Sequence, residues 1–249
     1  MRSHFVFWTA VVITAVAGGA VAAPPELRPA GSLAPAPEAV GANQLRGRFG
    51  PEVRIAWDDA WQAPRRVSGL AVPTQGRDAG ARVLGFLAAT RKDFAAGASA
   101  WRVTRVQALP GGGTVVRCAV LLGELPVEGR EVVVQLDAAQ RVVRVTRDPG
   151  PTQRPATAMT IDAAQASAIA FGRYEVAAAG KATAVVLAST PGTERIAWRV
   201  PTARLPLSGH FFVWIDAETG ATLRTGPAGF DEAMGALTLR TTARSEGSR

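Results

Sequence analysis

The chain has 249 residues, 47% of them hydrophobic, with one cysteine, two histidines and a formal net charge of +8. That is enough chain to bury one large core or two small ones, and a lone thiol excludes an intrachain disulfide framework. The charge does not read as a nucleic-acid footprint: Lys92 and Lys181 are the only lysines, the arginines are mostly scattered singly among acids, and Arg65-Arg66 and Arg91-Lys92 are the only adjacent basic pairs, whereas phosphate tracking calls for a clustered stripe beside exposed aromatics.

In chain order, residues 1–22 have the form of an export signal. Arg2 supplies a positive start, Phe5 to Val16 an apolar core, and Ala20-Val21-Ala22 a small-x-small cleavage site. An uncleaved anchor would use the same 19 uncharged residues from Phe5 to Ala23. Gly18-Gly19 and the short apolar core favour cleavage, so no membrane contact is expected of the mature chain and its location is secreted or periplasmic. Residues 23–48 are Pro/Ala-rich, with Pro24, Pro25, Pro29, Pro35 and Pro37 and almost no large apolar side chains, the composition of a semi-extended linker. Folded sequence is expected from Phe49, with a first strand over Val53 to Trp57. Asp58-Asp59 reads as a solvated turn, because strand neighbours point to opposite faces and could not easily share a substrate.

Val83, Leu84, Leu87 and Phe94 recur at helical spacing, with Arg77, Asp78, Arg82, Arg91, Lys92 and Asp93 mostly on the other faces. This predicts an amphipathic helix within 77–96, ended by Gly97. A β region follows: Trp101 to Ala108, a Pro110-Gly113 turn, Thr114 to Leu122, and a hairpin. Its first arm alternates through Val132, Val134 and Leu136, and its second runs from Val142 to Val145 beyond the turn Asp137-Ala138-Ala139-Gln140. Residues 148–158, opening on Asp148-Pro149-Gly150-Pro151, read as an interdomain linker. Beyond it the order repeats: Asp162 can cap a helix from Ala163 to about Ala178, and strands are expected at 183–188, 195–203, 210–215 and 221–225. A helix followed by an antiparallel meander buries both apolar sides when the sheet curls over the helix, so the fold class is α+β.

Two stretches also resemble known families. Val116-Arg117, Gly123, Pro126-Val127, Gly129, Val132-Val133-Val134 and Leu136-Asp137 resemble the consensus of the fungalysin/thermolysin propeptide (FTP) domain. In that pattern a strand with a Val-Arg pair leads to Gly-x-Pro-Val-x-Gly, three valines and Leu-Asp. Here Gly123 and Pro126 stand one residue further apart, Cys118-Ala119-Val120 replaces an aromatic and two glutamines, and Gln135 stands where His is frequent. Ile196-Ala197-Trp198-Arg199-Val200, followed by Phe212-Val213-Trp214-Ile215-Asp216-Ala217-Glu218-Thr219-Gly220, resembles the PepSY signature. Asp216 and Thr219 can bond backbone amides there, and Gly220 can take positive φ to close a hairpin. The resemblances imply an FTP-like domain at 49–147 and a PepSY-like domain at 159–227. They further imply two tandem cystatin-like modules, each an antiparallel sheet curled over one helix. Within 228–249, the alternating run Ala236 to Thr241 reads as a strand followed by a polar tail.

FTP followed by PepSY is the arrangement of the N-terminal propeptide of secreted thermolysin- and fungalysin-type zinc proteases, which assists folding of the catalytic domain and holds its cleft shut. The implied partner is such a catalytic domain. Arg117, Pro126 and Val127 are candidate contacts, Arg117 serving equally well as a plain strand charge. Gly129, Trp198, Arg199, Asp216, Thr219 and Gly220 are structural signature residues, and Trp198 and Trp214 read as core.

The inventory opposes catalysis by this chain. A zinc protease needs two histidines one helical turn apart with a glutamate between them, and beyond the signal only His210 remains. No Gly-x-Ser-x-Gly turn supports a triad around it, and Cys118, in an apolar strand run, reads as a buried inert thiol. Glu218-Thr219-Gly220 resembles the Asp-Thr-Gly of aspartic proteases but occurs once, and Gly111-Gly112-Gly113 lacks the lysine of a phosphate loop. No metal or cofactor is expected. The expected function is therefore that of a non-catalytic, propeptide-like inhibitor or folding aid of a zinc protease, with an envelope-associated binding module as the alternative.

Overall fold

A computed structural model of the chain describes residues 37–174, 177–178, 180–203 and 210–227. The export signal, the front of the Pro/Ala-rich stretch and the strand expected at 236–241 lie outside the described residues. The chain is α+β and dominated by sheet. Six strands form its first part: β1 (Arg54–Asp58), β2 (Ala63–Pro73), β3 (Ser99–Ala108), β4 (Thr114–Leu122), β5 (Leu125–Leu136) and β6 (Arg141–Arg147). They pair antiparallel in the order β3-β4-β5-β6-β2-β1.

The register sets Val106, Val116, Val134, Val145, Val67 and Ile55 side by side in one row across all six strands. Strand residues alternate between faces, so this row marks one face as core, with Val106 at its outer end 51% exposed. Against it pack α1 (Pro37–Phe49) and α2 (Ala79–Ala89), which contribute Leu45, Val83, Phe86 and Leu87.

Helix α1 corrects the expectation that residues 23–48 are linker throughout. Leu45 is 1% and Ala42 7% exposed, Gly50 ends the helix with φ +109 and its N–H donates to the Arg46 carbonyl at 2.9 Å. Gly41 allows the helix to meet the Trp57 ring, which a β-carbon would strike at 2.3 Å. The first sheet thus carries two helices where one was expected. Strand β2 was not expected either; Pro64 and Pro73 lie at its ends and Arg65-Arg66 within it.

Helix α2 begins where predicted, with the Asp78 carboxylate accepting from the Ala81 N–H at 2.7 Å, but it stops at Ala89. Buried Thr90 turns its hydroxyl onto the Phe86 carbonyl at 2.8 Å, and the following turns carry Phe94 into the core at 3% exposure.

The remaining strands are β7 (Ala177–Ala178), β8 (Thr183–Leu187), β9 (Arg195–Ala203), β10 (His210–Asp216) and β11 (Thr222–Pro227). They run in the order β8-β9-β10-β11, with β7 on β9. Helix α3 (Ala163–Tyr174) rests Ala166 and Ala170 on Val200, Val213 and Ile215. It opens on a reciprocal box: Asp162 accepts from the Gln165 N–H at 2.8 Å and the Gln165 side chain accepts from the Asp162 N–H at 2.9 Å. It is shorter than expected, since Ala177 and Ala178 pair with Ala203 and Thr202 instead.

Strand β5 belongs to both halves. Beyond its pairing with β4 and β6 it pairs in parallel with β8, Val127 opposite Val186, and Leu122, Val127 and Val186 form a small core of their own. The stretch expected as an interdomain linker is also packed: Pro149 and Pro151 are buried, and the Ala98 N–H donates to the Thr152 carbonyl at 2.9 Å.

Candidate binding surface

The turn between β10 and β11 is built around Asp216. That carboxylate is 1% exposed and accepts from the Glu218 and Thr219 N–H groups, both at 2.9 Å. The Gly220 N–H donates to the Asp216 carbonyl at 3.0 Å, and Gly220 takes φ +73. A β-carbon there would also lie 2.8 Å from the Ile161 side chain. Thr219 Oγ1 accepts from the Ala221 N–H at 3.3 Å, and Arg195 stands 3.8 Å from the buried carboxylate. The indole N–H of Trp198 donates to the Ile161 carbonyl at 2.6 Å, tying β9 to the start of α3. These contacts hold β9, β10, β11 and the start of α3 together.

Arg199 works between the halves. Its guanidinium lies 4.9 Å from the Phe212 ring centre and 3.4 Å from the Glu128 carboxylate of β5, which is 10% exposed. Arg130 acts likewise, donating to the Ala188 carbonyl at 3.1 Å while its guanidinium lies 5.4 Å from the Trp61 ring centre. Neither Glu128 nor Arg130 was singled out from the sequence, because their roles depend on how β5 meets the second half.

The three candidate contacts separate. Val127 is 4% exposed and takes its strand pairing from β8 of the same chain, so its contact surface is already occupied. Pro126 is half-buried opposite Leu121. Arg117 forms an ion pair with Glu131 on β5. Burial lifts the Glu131 carboxyl above its usual 4.5, against the downward pull of Arg117 and with Asp148 adding repulsion. Gly129 takes φ +65 in the exposed part of β5.

Cys118 and His210 lie in different parts of the fold. Cys118 is fully buried in the first core, where burial, reinforced by the Glu131 charge, pushes its thiol up to about 12. His210 opens β10, in the other half. Among the described residues, no group of three or more His, Cys, Asp or Glu side chains could hold a metal, and no helix is long and apolar enough to cross a membrane. A cavity of ≈ 10 Å³ between Trp101, Arg130 and Arg147 has room for about one water. A wide trough of ≈ 550 Å³ along residues 151–157 is open to solvent. Strand β3, by contrast, has ten residues, pairs with β4 on one side, and is mostly exposed from Arg102 onward.

No family model matches the chain, and no curated protein does either. Among solved structures, the chain is similar to the Bacillus megaterium YpeB C-terminal domain at 9% identity and a TM-score of 0.35, covering 78% of this chain and 97% of that one.

Proposed function

We infer that this protein is an exported, non-catalytic propeptide-like module that binds the catalytic domain of a thermolysin- or fungalysin-type zinc protease. On this reading the two halves are FTP-like and PepSY-like modules of cystatin-like form, and they hold the enzyme inactive or assist its folding. The observation that carries the reading is strand β3, a long strand that pairs, among the described residues, with β4 alone. Such a strand can accept an extended segment by backbone pairing, with alternate side chains supplying selectivity. The buried, unreactive thiol supports it, as does the structural use of Asp216, Trp198 and Gly220, which leaves no signature residue free for chemistry. The test is titration of a thermolysin-type protease with the purified protein, together with refolding of the denatured protease in its presence. Inhibition at micromolar concentration or an increased yield of active enzyme is expected. Absence of both overturns the reading.

A further inference from the structure

The first sheet has another face, turned away from its helices. One residue along from the aliphatic row, the register aligns Arg105, Arg117, Val133, Thr146, Arg66 and Ala56 across the six strands. The next row reads Gln107, Val115, Gln135, Arg144, Ser68 and Arg54. On the other side, Arg102 shares a row with Ala119 and Glu131. Arginines spread along the sequence from position 54 to position 144 are thereby gathered in space.

Arg54, Arg66, Arg102, Arg105 and Arg144 are exposed, and among the described residues none of the five enters an ion pair. Arg117 alone is paired, with Glu131. Asp148 borders the face, its N–H donating to the Glu131 carbonyl at 3.0 Å. Asp58 ends β1 on the same side as Arg54 and Ala56. Six arginines against these three acids leave a surplus of three positive charges. Arg105 stands directly opposite Arg117, and like charges so placed oppose strand pairing. A bound anion would relieve that repulsion.

We propose that this face docks the carboxylate-bearing surface of a second protein. Six strands at roughly 4.8 Å spacing make it about 25 Å wide, the breadth of a protein interface patch and more than one phosphate strand would cover. Its rows hold no aromatic side chain on which a base could stack and no large apolar group to enter a bilayer. Between the arginines stand half-buried Val115, Val133 and Ala119, the mixture of arginine and short aliphatic groups that protein interfaces use. The pair Arg117–Glu131 shows the ligand chemistry, since a carboxylate is already seated there. A second copy of the face would set arginine against arginine. Outside the described residues, 1–36 hold Glu26 against Arg2 and Arg28, and 228–249 hold three acids against three arginines, so neither segment brings a net negative charge.

The face would serve any acidic protein, so its test is separate from inhibition of a protease. The intact protein is titrated with a labelled polyglutamate peptide, a DNA duplex of matched charge and phosphatidylglycerol vesicles, at low and at physiological salt. Polyglutamate is expected to bind, more weakly as salt rises. Its affinity should fall by roughly tenfold or more in R66E/R105E/R144E and stay unchanged in R46E/R154E/R173E, which alters the charge equally elsewhere. If the first triple variant melts early, the single variants R66E, R105E and R144E should each show part of the loss. The proposal is overturned by absence of polyglutamate binding at low salt, by equal losses in the two triple variants, by unchanged binding in the face variants, or by tighter binding to the duplex or the vesicles.

Discussion

Asp216 shows how one buried carboxylate can set the course of two strands. It accepts from two amides in a site with 1% exposure, so Asp216→Ala leaves both donors without their acceptor and should cost about 1–3 kcal/mol. Asp216→Asn, which keeps one oxygen in place, should cost less. Urea denaturation midpoints of the two variants check the order. Cys118 gives a prediction of another kind. Its thiol is raised from 9.0 to about 12, so the unfolded chain deprotonates first as pH rises. Stability is therefore intact below pH 9 and declines from there toward about 12. At pH 8 the native thiol should resist alkylation and react only after unfolding, which a mass measurement before and after denaturant will show.

Helix α1 buries Ala42 and Leu45 and sets Phe49 against the margin of the core. Leu45→Ala should cost about 2–5 kcal/mol, because the side chain lies within the main core and its removal leaves a cavity; the thermal unfolding midpoint is the readout. The same fact explains why this helix was illegible in the sequence. Two buried side chains among prolines, glycines and polar residues make no apolar stripe, so composition pointed to a linker. Strand β2 was hidden in a similar way, its prolines and paired arginines masking an alternation that includes buried Val67. By contrast, β3, β4, β9 and the Asp216 turn were readable, since their patterns close within a few residues. Arg117 lay between these cases: its strand was evident, while its partner Glu131, fourteen positions on, depended on the register. The arginine face was invisible for the same reason. Alternation assigns each arginine a side of its own strand, but only the pairing of β1, β2, β3, β4 and β6 shows that the sides coincide.

On the scale of the whole molecule, the two halves share β5, the small core of Leu122, Val127 and Val186, and the contacts of Arg199 and Arg130. Calorimetry of the wild-type protein should therefore give one cooperative transition. Val186→Asp places a charge in a site with 0% exposure and should separate the transition into two or lower it by several degrees. Hydrogen exchange at the amides of β5 and β8 would show the seam opening first.

Anyone dissecting this protein by its two recognisable motifs would divide it near residue 148. Strand β5 ends at Leu136, so the leading fragment would retain Val127 with an apolar flank newly wetted, and the trailing fragment would begin its sheet at β8 with a raw border. Mixed together, such fragments should find each other again along that border; kept apart, each should be prone to clump.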